Sequence, residues 1–348
     1  MVTAVSAPGG KRVCVLGAGV IGLSAALRIS TEVRGVAVTL VADKFGRGTT
    51  SDGSGGLWEP YKLGDTPAEL VNKWGAETYQ YLQDLYYSEA GGEAGVTEVI
   101  AHQLWTQPGW SDPVWRDVVP HFHHMSAREL ARFNAAGRCE YSGGYSFTTL
   151  LCEQRRYLPW LTERVLRAGV TLAHQTITSL RELAGYDLVV NCTGLGAKLL
   201  FGDEGMYPVR GHVIRVRAPW VKANYFVDED NYILPNLDTV VLGGTAQYGD
   251  TDLEPREEDR RHIWEGVLRM MPSLRGAPVE REWVGLRPGR DSVRLEAEDV
   301  ALPAGDGPVD TLSVIHCYGH GGAGVTLHWG CAADVVRLAE QRLATMEA

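Results

Sequence analysis

The 348-residue sequence contains no run of about 18 consecutive apolar residues, so nothing in it reads as a membrane-spanning helix. Basic residues are also scarce: 33 Lys and Arg stand against 43 Asp and Glu, giving a formal net charge of −10, and no basic cluster offsets it. A phosphate backbone would be repelled, so nucleic acid is not expected as a partner. Cysteine is limited to six scattered residues, Cys14, Cys139, Cys152, Cys192, Cys317 and Cys331, with no C-x-x-C pair. Cys14 and Cys192 lie within apolar, strand-like runs, and the set reads as buried thiols in a reducing compartment. The start of the chain has neither a basic segment nor an apolar stretch, so no secretory signal is expected. The final residues, Thr345 to Ala348, are not a Ser-Lys-Leu-type peroxisomal address. An intracellular protein with no membrane or metal partner is expected.

Residues that could form a large core are plentiful. The composition is 45% hydrophobic and 22% charged, without low-complexity tracts, and the length suggests two interlocking domains. The sharpest local pattern spans residues 11 to 43. The apolar run Val13-Cys14-Val15-Leu16 leads into Gly17-Ala18-Gly19-Val20-Ile21-Gly22 and then Leu23-Ser24-Ala25-Ala26-Leu27. Strand, glycine turn and helix follow one another. Gly17 permits the tight turn, Gly19 lets the backbone approach a pyrophosphate, and Gly22 allows the helix to pack closely on the strand. The helix N-terminus then offers unpaired N–H groups to the anion. A second apolar strand, Ala37 to Ala42, ends at Asp43, whose carboxylate can accept from an adenosine ribose, and Lys44 follows. This context serves NAD and FAD alike.

Two distant segments resemble further pieces of the same sheet. Tyr186 to Gly196 is a buried strand ending in small residues, which lets a backbone lie close to a flat ligand. Leu312 to Thr326 is another strand followed by a glycine-rich turn, and the final helix places Val325, Trp329, Ala332, Val336, Ala339 and Leu343 on one stripe. Its N-terminal turn, Gly321 to Gly324, would aim the positive helix end at a developing anion. That suits the N1/C2 carbonyl edge of a reduced flavin; an NAD enzyme has no such need.

Six segments occurring in order carry a family resemblance: Gly-Ala-Gly-Val-Ile-Gly-Leu-Ser (17 to 24), Gly-Gly-Leu-Trp-Glu-Pro-Tyr (55 to 61), Val-Asn-Cys-Thr-Gly (190 to 194), Ile-Trp-Glu-Gly (263 to 266), Gly-Leu-Arg-Pro (285 to 288) and Tyr-Gly-His-Gly-Gly-Ala-Gly-Val-Thr-Leu-His-Trp-Gly (318 to 330). Together they resemble the D-amino acid oxidase and D-aspartate oxidase family over nearly the whole chain. The resemblance implies an α/β fold with non-covalent FAD. A Rossmann-like FAD-binding domain would be assembled from the discontinuous segments 9–60, 150–204 and 285–345. A mixed-sheet substrate-binding domain would comprise 61–149 and 205–284. It further implies that Gly17, Ala18, Gly19, Val20, Ile21 and Gly22 hold the pyrophosphate, Asp43 and Lys44 the ribose region, and Thr49, Thr50 and Ser51 the phosphates. Gly55, Gly56 and Leu57 would line the flavin, Ile177, Thr193 and Gly194 the adenosine side, and Gly321, Gly322, Ala323, Gly324, Val325 and Thr326 would cradle the isoalloxazine. The resemblance implies a peroxisomal location, with the cytoplasm as the alternative given the missing terminal address, and it allows a homodimer.

On the substrate side, Pro208 to Arg217 alternates like a half-solvated antiparallel strand, and Asp238 to Gly244 reads similarly. An amino-acid oxidase must fix a carboxylate, and a guanidinium fork matches its two oxygens. Arg287 follows an apolar strand and precedes a proline, with Arg290 and Arg294 as nearby alternatives. The resemblance selects Arg287, adds the Tyr232 hydroxyl on the same carboxylate, and puts the substrate amine on the Gly322 carbonyl. The Cα hydrogen would then leave as hydride towards flavin N5, with O₂ as final acceptor. The extra arginines of D-aspartate oxidases correspond here to Val227 and Ala246, and Glu59 would repel an acidic side chain. Neutral D-amino acids are therefore the expected substrates, with D-aspartate, and less closely an NAD(P)-linked dehydrogenase reaction, as alternatives. The acidic stretch Asp228, Glu229 and Asp230 reads as a short, solvent-facing lid, and His121, His123 and His124 as a loop rather than a metal site.

Overall fold

The computed structural model describes residues 10–136, 139–228, 231–302 and 311–346. Among the described residues, fifteen strands run in chain order: β1 Lys11–Ala18, β2 Val36–Phe45, β3 Val96–Trp105, β4 His123–His124, β5 Gly143–Cys152, β6 Thr171–His174, β7 Leu188–Asn191, β8 Tyr207–Val216, β9 Asn224–Val227, β10 Asn231–Pro235, β11 Val240–Gly243, β12 Gln247–Tyr248, β13 Val279–Gly289, β14 Arg294–Ala301 and β15 Thr311–Tyr318. The α-helices are α1 Val20–Glu32, α2 Ala68–Tyr87, α3 Gly91–Ala94, α4 Ala127–Ala136, α5 Gln154–Arg167, α6 Gly196–Phe201, α7 Glu257–Met270 and α8 Gly324–Thr345.

The strands form two sheets. The first has the order β14-β15-β7-β1-β2-β6 and is parallel except at its β14 edge. Its central strands are apolar and buried on both faces, as the continuous runs Val13–Leu16 and Leu188–Val190 require of strands covered on each side. Helices α1 and α8 pack side by side against it. The second sheet runs β12-β8-β11-β10-β9-β3-β5-β4, with β13 paired to β8 along nearly its whole length. β2 continues through Asp43 to Phe45, three residues beyond the apolar run. The expected domain boundary at 285 falls inside β13, which belongs entirely to the second sheet.

β8 departs from its half-solvated reading. From Val209 to Val216 every residue is buried, because β11, β12 and β13 flank the strand. Its polar positions face protein, and each has partners. Arg210 pairs with Asp259 of α7 at 2.5 Å and donates to the Asp252 and Glu254 carbonyls; His212 meets Glu282 at 3.0 Å. Arg215 donates to Asn236 and to the Ser54 carbonyl. Alternation therefore reports two chemically different environments here, and solvent is neither of them. The histidine pair is likewise a short strand, β4, paired to β5. Each ring has its own neighbour: His121 Thr148, His123 Glu129 and His124 Asp112.

Glycines set two helix contacts that position the site. On α7, a Cβ at Gly266 would lie 1.5 Å from Asn231 Oδ1, so the helix seats directly on the start of β10, next to Tyr232. On α8, a Cβ at Gly330 would lie 2.3 Å from the Trp74 carbonyl oxygen of α2. The Gly330 N–H donates to Thr78 Oγ1, and Asp334 one turn on accepts from Lys73 Nζ and Trp74 Nε1 at 2.6 and 2.8 Å. Gly330→Ala should force α2 and α8 apart and cost about 1–3 kcal/mol. Urea unfolding of the purified variant checks this by a lowered midpoint.

Candidate active site

A cleft of about 1810 Å³ runs between the two sheets. It exceeds the ~300–1,000 Å³ of a pocket for one small ligand, as a dinucleotide plus a substrate requires. At one end, Gly17 has φ +98°, and a Cβ there would lie 2.5 Å from the Cys192 carbonyl oxygen. Gly19 caps α1 without a side chain, and the Val20 N–H donates to Ser51 Oγ at 3.1 Å. The remaining first-turn N–H groups lack intrahelical partners, the arrangement that receives a phosphate.

The sequence-derived cofactor residues converge here. Gly17, Ala18, Gly19, Val20, Ile21, Asp43, Lys44, Thr49, Thr50, Ser51, Gly55, Gly56, Leu57, Ile177, Thr193, Gly194, Gly321, Gly322, Gly324 and Val325 all line the cleft. Gly22, Ala323 and Thr326 do not. A Cβ on Gly22 would sit 1.8 Å from the Gly17 carbonyl oxygen, so this glycine serves helix-on-strand packing. Ala323 is fully buried behind the turn, and the Thr326 hydroxyl is occupied by Glu59: it donates to the Glu59 carbonyl at 2.8 Å and accepts from the Glu59 N–H at 3.2 Å.

That bond ties the start of α8 to the 55–61 segment. The segment lies along β5, with Cys152 N donating to the Gly56 carbonyl and Trp58 N to the Leu150 carbonyl. Trp58, fully buried, donates from its indole to the Gly75 carbonyl. Gly321 N donates to the Pro288 carbonyl, which sets the glycine turn beside Arg287 on β13. The residues predicted to hold substrate thus share one wall.

Arg287 and Tyr232 are accommodated by glycines that sequence reading passed over. The guanidinium lies across Gly211 of β8, where a Cβ would come within 2.4 Å of Nη1, and Nη1 donates to the Thr245 carbonyl at 3.0 Å. The Tyr232 ring lies over Gly243 and Gly244, where Cβ atoms would come within 2.1 and 2.8 Å. Tyr61 covers Gly322, with its ring centroid 6.0 Å from the Arg287 guanidinium carbon. A glycine interrupting an apolar strand, as in Arg210-Gly211-His212, was the available signal. Arg290 and Arg294 do not line the cleft; Arg290 pairs with Asp203, and Arg294 with Glu296 and Glu298.

The cleft is also lined by Trp110, Trp115, Tyr145, Phe226, Glu59 and Asp228. Burial pushes the Glu59 carboxyl up to about 8, so it is uncharged at neutral pH and its expected repulsion of acids begins only above that range. Asp228 is held by Thr106, whose N–H and hydroxyl donate to its carboxylate at 3.0 and 2.9 Å. Glu229 and Asp230 lie outside the described residues. Neither Val227 nor Ala246 lines the cleft; Val227 is packed with Leu104 and Tyr141. Lys62 does line it, its ammonium 4.9 Å from the Tyr61 ring centroid and 5.8 Å from that of Tyr248.

Residues 12–338 match the family model described as DAO, FAD dependent oxidoreductase. The chain is 42% identical to a human D-aspartate oxidase, covering 95% of both proteins. It is 38% identical to a D-amino-acid oxidase of Rubrobacter xylanophilus, over 94% of this chain and 95% of that protein. Among solved structures, a glycine oxidase from Geobacillus kaustophilus superposes with a TM-score of 0.77 at 17% identity, covering 95% of each chain, which speaks for the fold. A glycine cradle at a helix start, a cleft sized for a dinucleotide and substrate, and a match along nearly the whole sequence converge on one assignment: the chain belongs to the DAO family of FAD dependent oxidoreductases.

Proposed function

We propose that the protein oxidises free D-amino acids with uncharged side chains to 2-oxo acids, releasing ammonia and reducing O₂ to hydrogen peroxide. The observation that carries this reading is the shared wall on which Arg287, Tyr232 and Gly322 line the cleft. FAD, when bound, supplies the two-electron acceptor for the Cα hydride and passes the electrons to O₂.

The chain's own part is binding and orientation. The Arg287 fork takes the substrate carboxylate, and the Tyr232 hydroxyl adds a donor to the same group. The Gly322 carbonyl accepts from the substrate amine. With three points fixed, one Cα substituent faces the cofactor, and an amine bound neutral needs no protein base to release it. The N-terminus of the 22-residue α8 favours negative charge beside it. The rings of Trp110, Trp115 and Tyr145 supply an apolar side-chain pocket.

Lys62 supports a second reading, D-aspartate oxidation, because its ammonium stands on the cleft wall beside Tyr61. Initial rates of peroxide formation separate the two. The main reading expects D-alanine to exceed D-aspartate in kcat/KM. A strong preference for D-aspartate that collapses in Lys62→Ala favours the second. Arg287→Ala should lower kcat/KM by roughly 30-fold or more, the ~2 kcal/mol or more lost when a charged pair is opened, while flavin absorbance per chain stays normal. Glu59 ionises as pH rises through about 8, so the ratio of kcat/KM for D-aspartate to that for D-alanine should fall across that range. Glu59→Gln should remove the fall.

A further inference from the structure

Four elements bring soft ligands together behind the glycine turn. Cys192 follows β7, Cys317 is in β15, His320 is in the turn, and Cys331 is in α8. Cys317, His320 and Cys331 are 1%, 2% and 0% exposed. Their ligand atoms all lie within 4.8 Å of one another. The Cys317 thiol is in hydrogen-bond contact with Cys192, Cys331 and the His320 ring. His320 Nε2 has no hydrogen-bond partner, although the ring is buried. A buried, unsatisfied imidazole nitrogen carries a desolvation cost that a ligand can relieve.

We propose that Cys317, His320 and Cys331, with Cys192 as fourth ligand, bind a soft d¹⁰ metal ion such as zinc or cadmium. Three sulfurs and one imidazole form the donor set such ions select, and four ligands from the protein leave no position open, which marks a structural site. Zinc–sulfur bonds of about 2.3 Å in a tetrahedron put ligand atoms roughly 3.8 Å apart. For Cys317, His320 and Cys331, closing from at most 4.8 Å therefore asks each side chain to move inward by less than about 1 Å, which side-chain rotation can supply. Each coordinated thiol loses its proton to solvent as its sulfur–metal bond forms, with no change of oxidation state. The bound ion clips β7, β15, the turn and α8 to one point and stiffens the turn that carries Gly321 and Gly322. His123 and His124 offer no comparable set: both are exposed, and they pair with different carboxylates, Glu129 and Asp112.

The test uses the purified flavoprotein, stripped of loosely held metal, given one equivalent of cadmium and passed through gel filtration. Elemental analysis should find about one ion per chain, with a new thiolate-to-cadmium ultraviolet band, and zinc should raise the unfolding temperature. Cys317→Ser and Cys331→Ala should each lower cadmium affinity at least tenfold, with flavin absorbance per chain reporting that each variant has folded. A triple variant, Cys139→Ser with His123→Ala and His124→Ala, should retain the ion in full. The proposal fails if the wild-type protein shows no thiolate band, which needs no variant to judge. It fails equally if the triple variant loses the ion or if the Cys317 and Cys331 variants keep it.

Discussion

The site depends on one short connection, the Thr326 hydroxyl closing on both the N–H and the carbonyl of Glu59. Thr326 belongs to the first turn of α8, and Glu59 to the segment that follows the glycines at 55 and 56. The bond holds the positive end of the longest helix against a segment laid along β5 of the other sheet. One hydrogen bond of this kind contributes only about 1 kcal/mol. Its effect is geometric, because Gly321 is at the same time tied to the Pro288 carbonyl beside Arg287. The glycine-lined wall, the helix end and the Arg287 guanidinium are thereby fixed in one frame, and differential binding of a small substrate needs such rigidity.

Glycine is the second constraint, used where backbone or ring must come closer than a Cβ permits. Gly17 and Gly22 let β1, α1 and the Cys192 turn pack closely, while Gly211, Gly243 and Gly244 leave room for Arg287 and Tyr232. The polar residues of β8 complete the frame from beneath. Buried Arg210 and Arg215 reach α7, the 252–254 loop and Ser54, so the floor of the cleft is anchored by hydrogen-bonded guanidinium groups as well as by apolar packing.

Much of this was legible in the sequence. The dinucleotide end was readable because strand, glycine turn and helix are contiguous there, and local periodicity reports local structure. The α8 turn was readable for the same reason. The substrate wall was less so. Arg287 stood out through Gly-Leu-Arg-Pro, but its seat on Gly211 comes from a strand pairing 76 positions away, which no local pattern encodes. β8 was misread because alternation cannot distinguish water from a buried partner, and His123 and His124 because two residues are too few to show a strand. Val227, in the four-residue β9, and Ala246, in the turn after β11, are not among the residues lining the cleft.

The account makes the amino-acid carboxylate, amine and Cα hydrogen meet one cofactor face in one orientation only. Anaerobic titration of the purified flavoprotein with paired D- and L-amino acids tests that most directly. D-alanine should bleach the oxidised flavin absorbance fully and rapidly, and L-alanine should leave it unchanged. Bleaching by the L-enantiomer at a comparable rate, or no bleaching by any D-amino acid, would contradict the account.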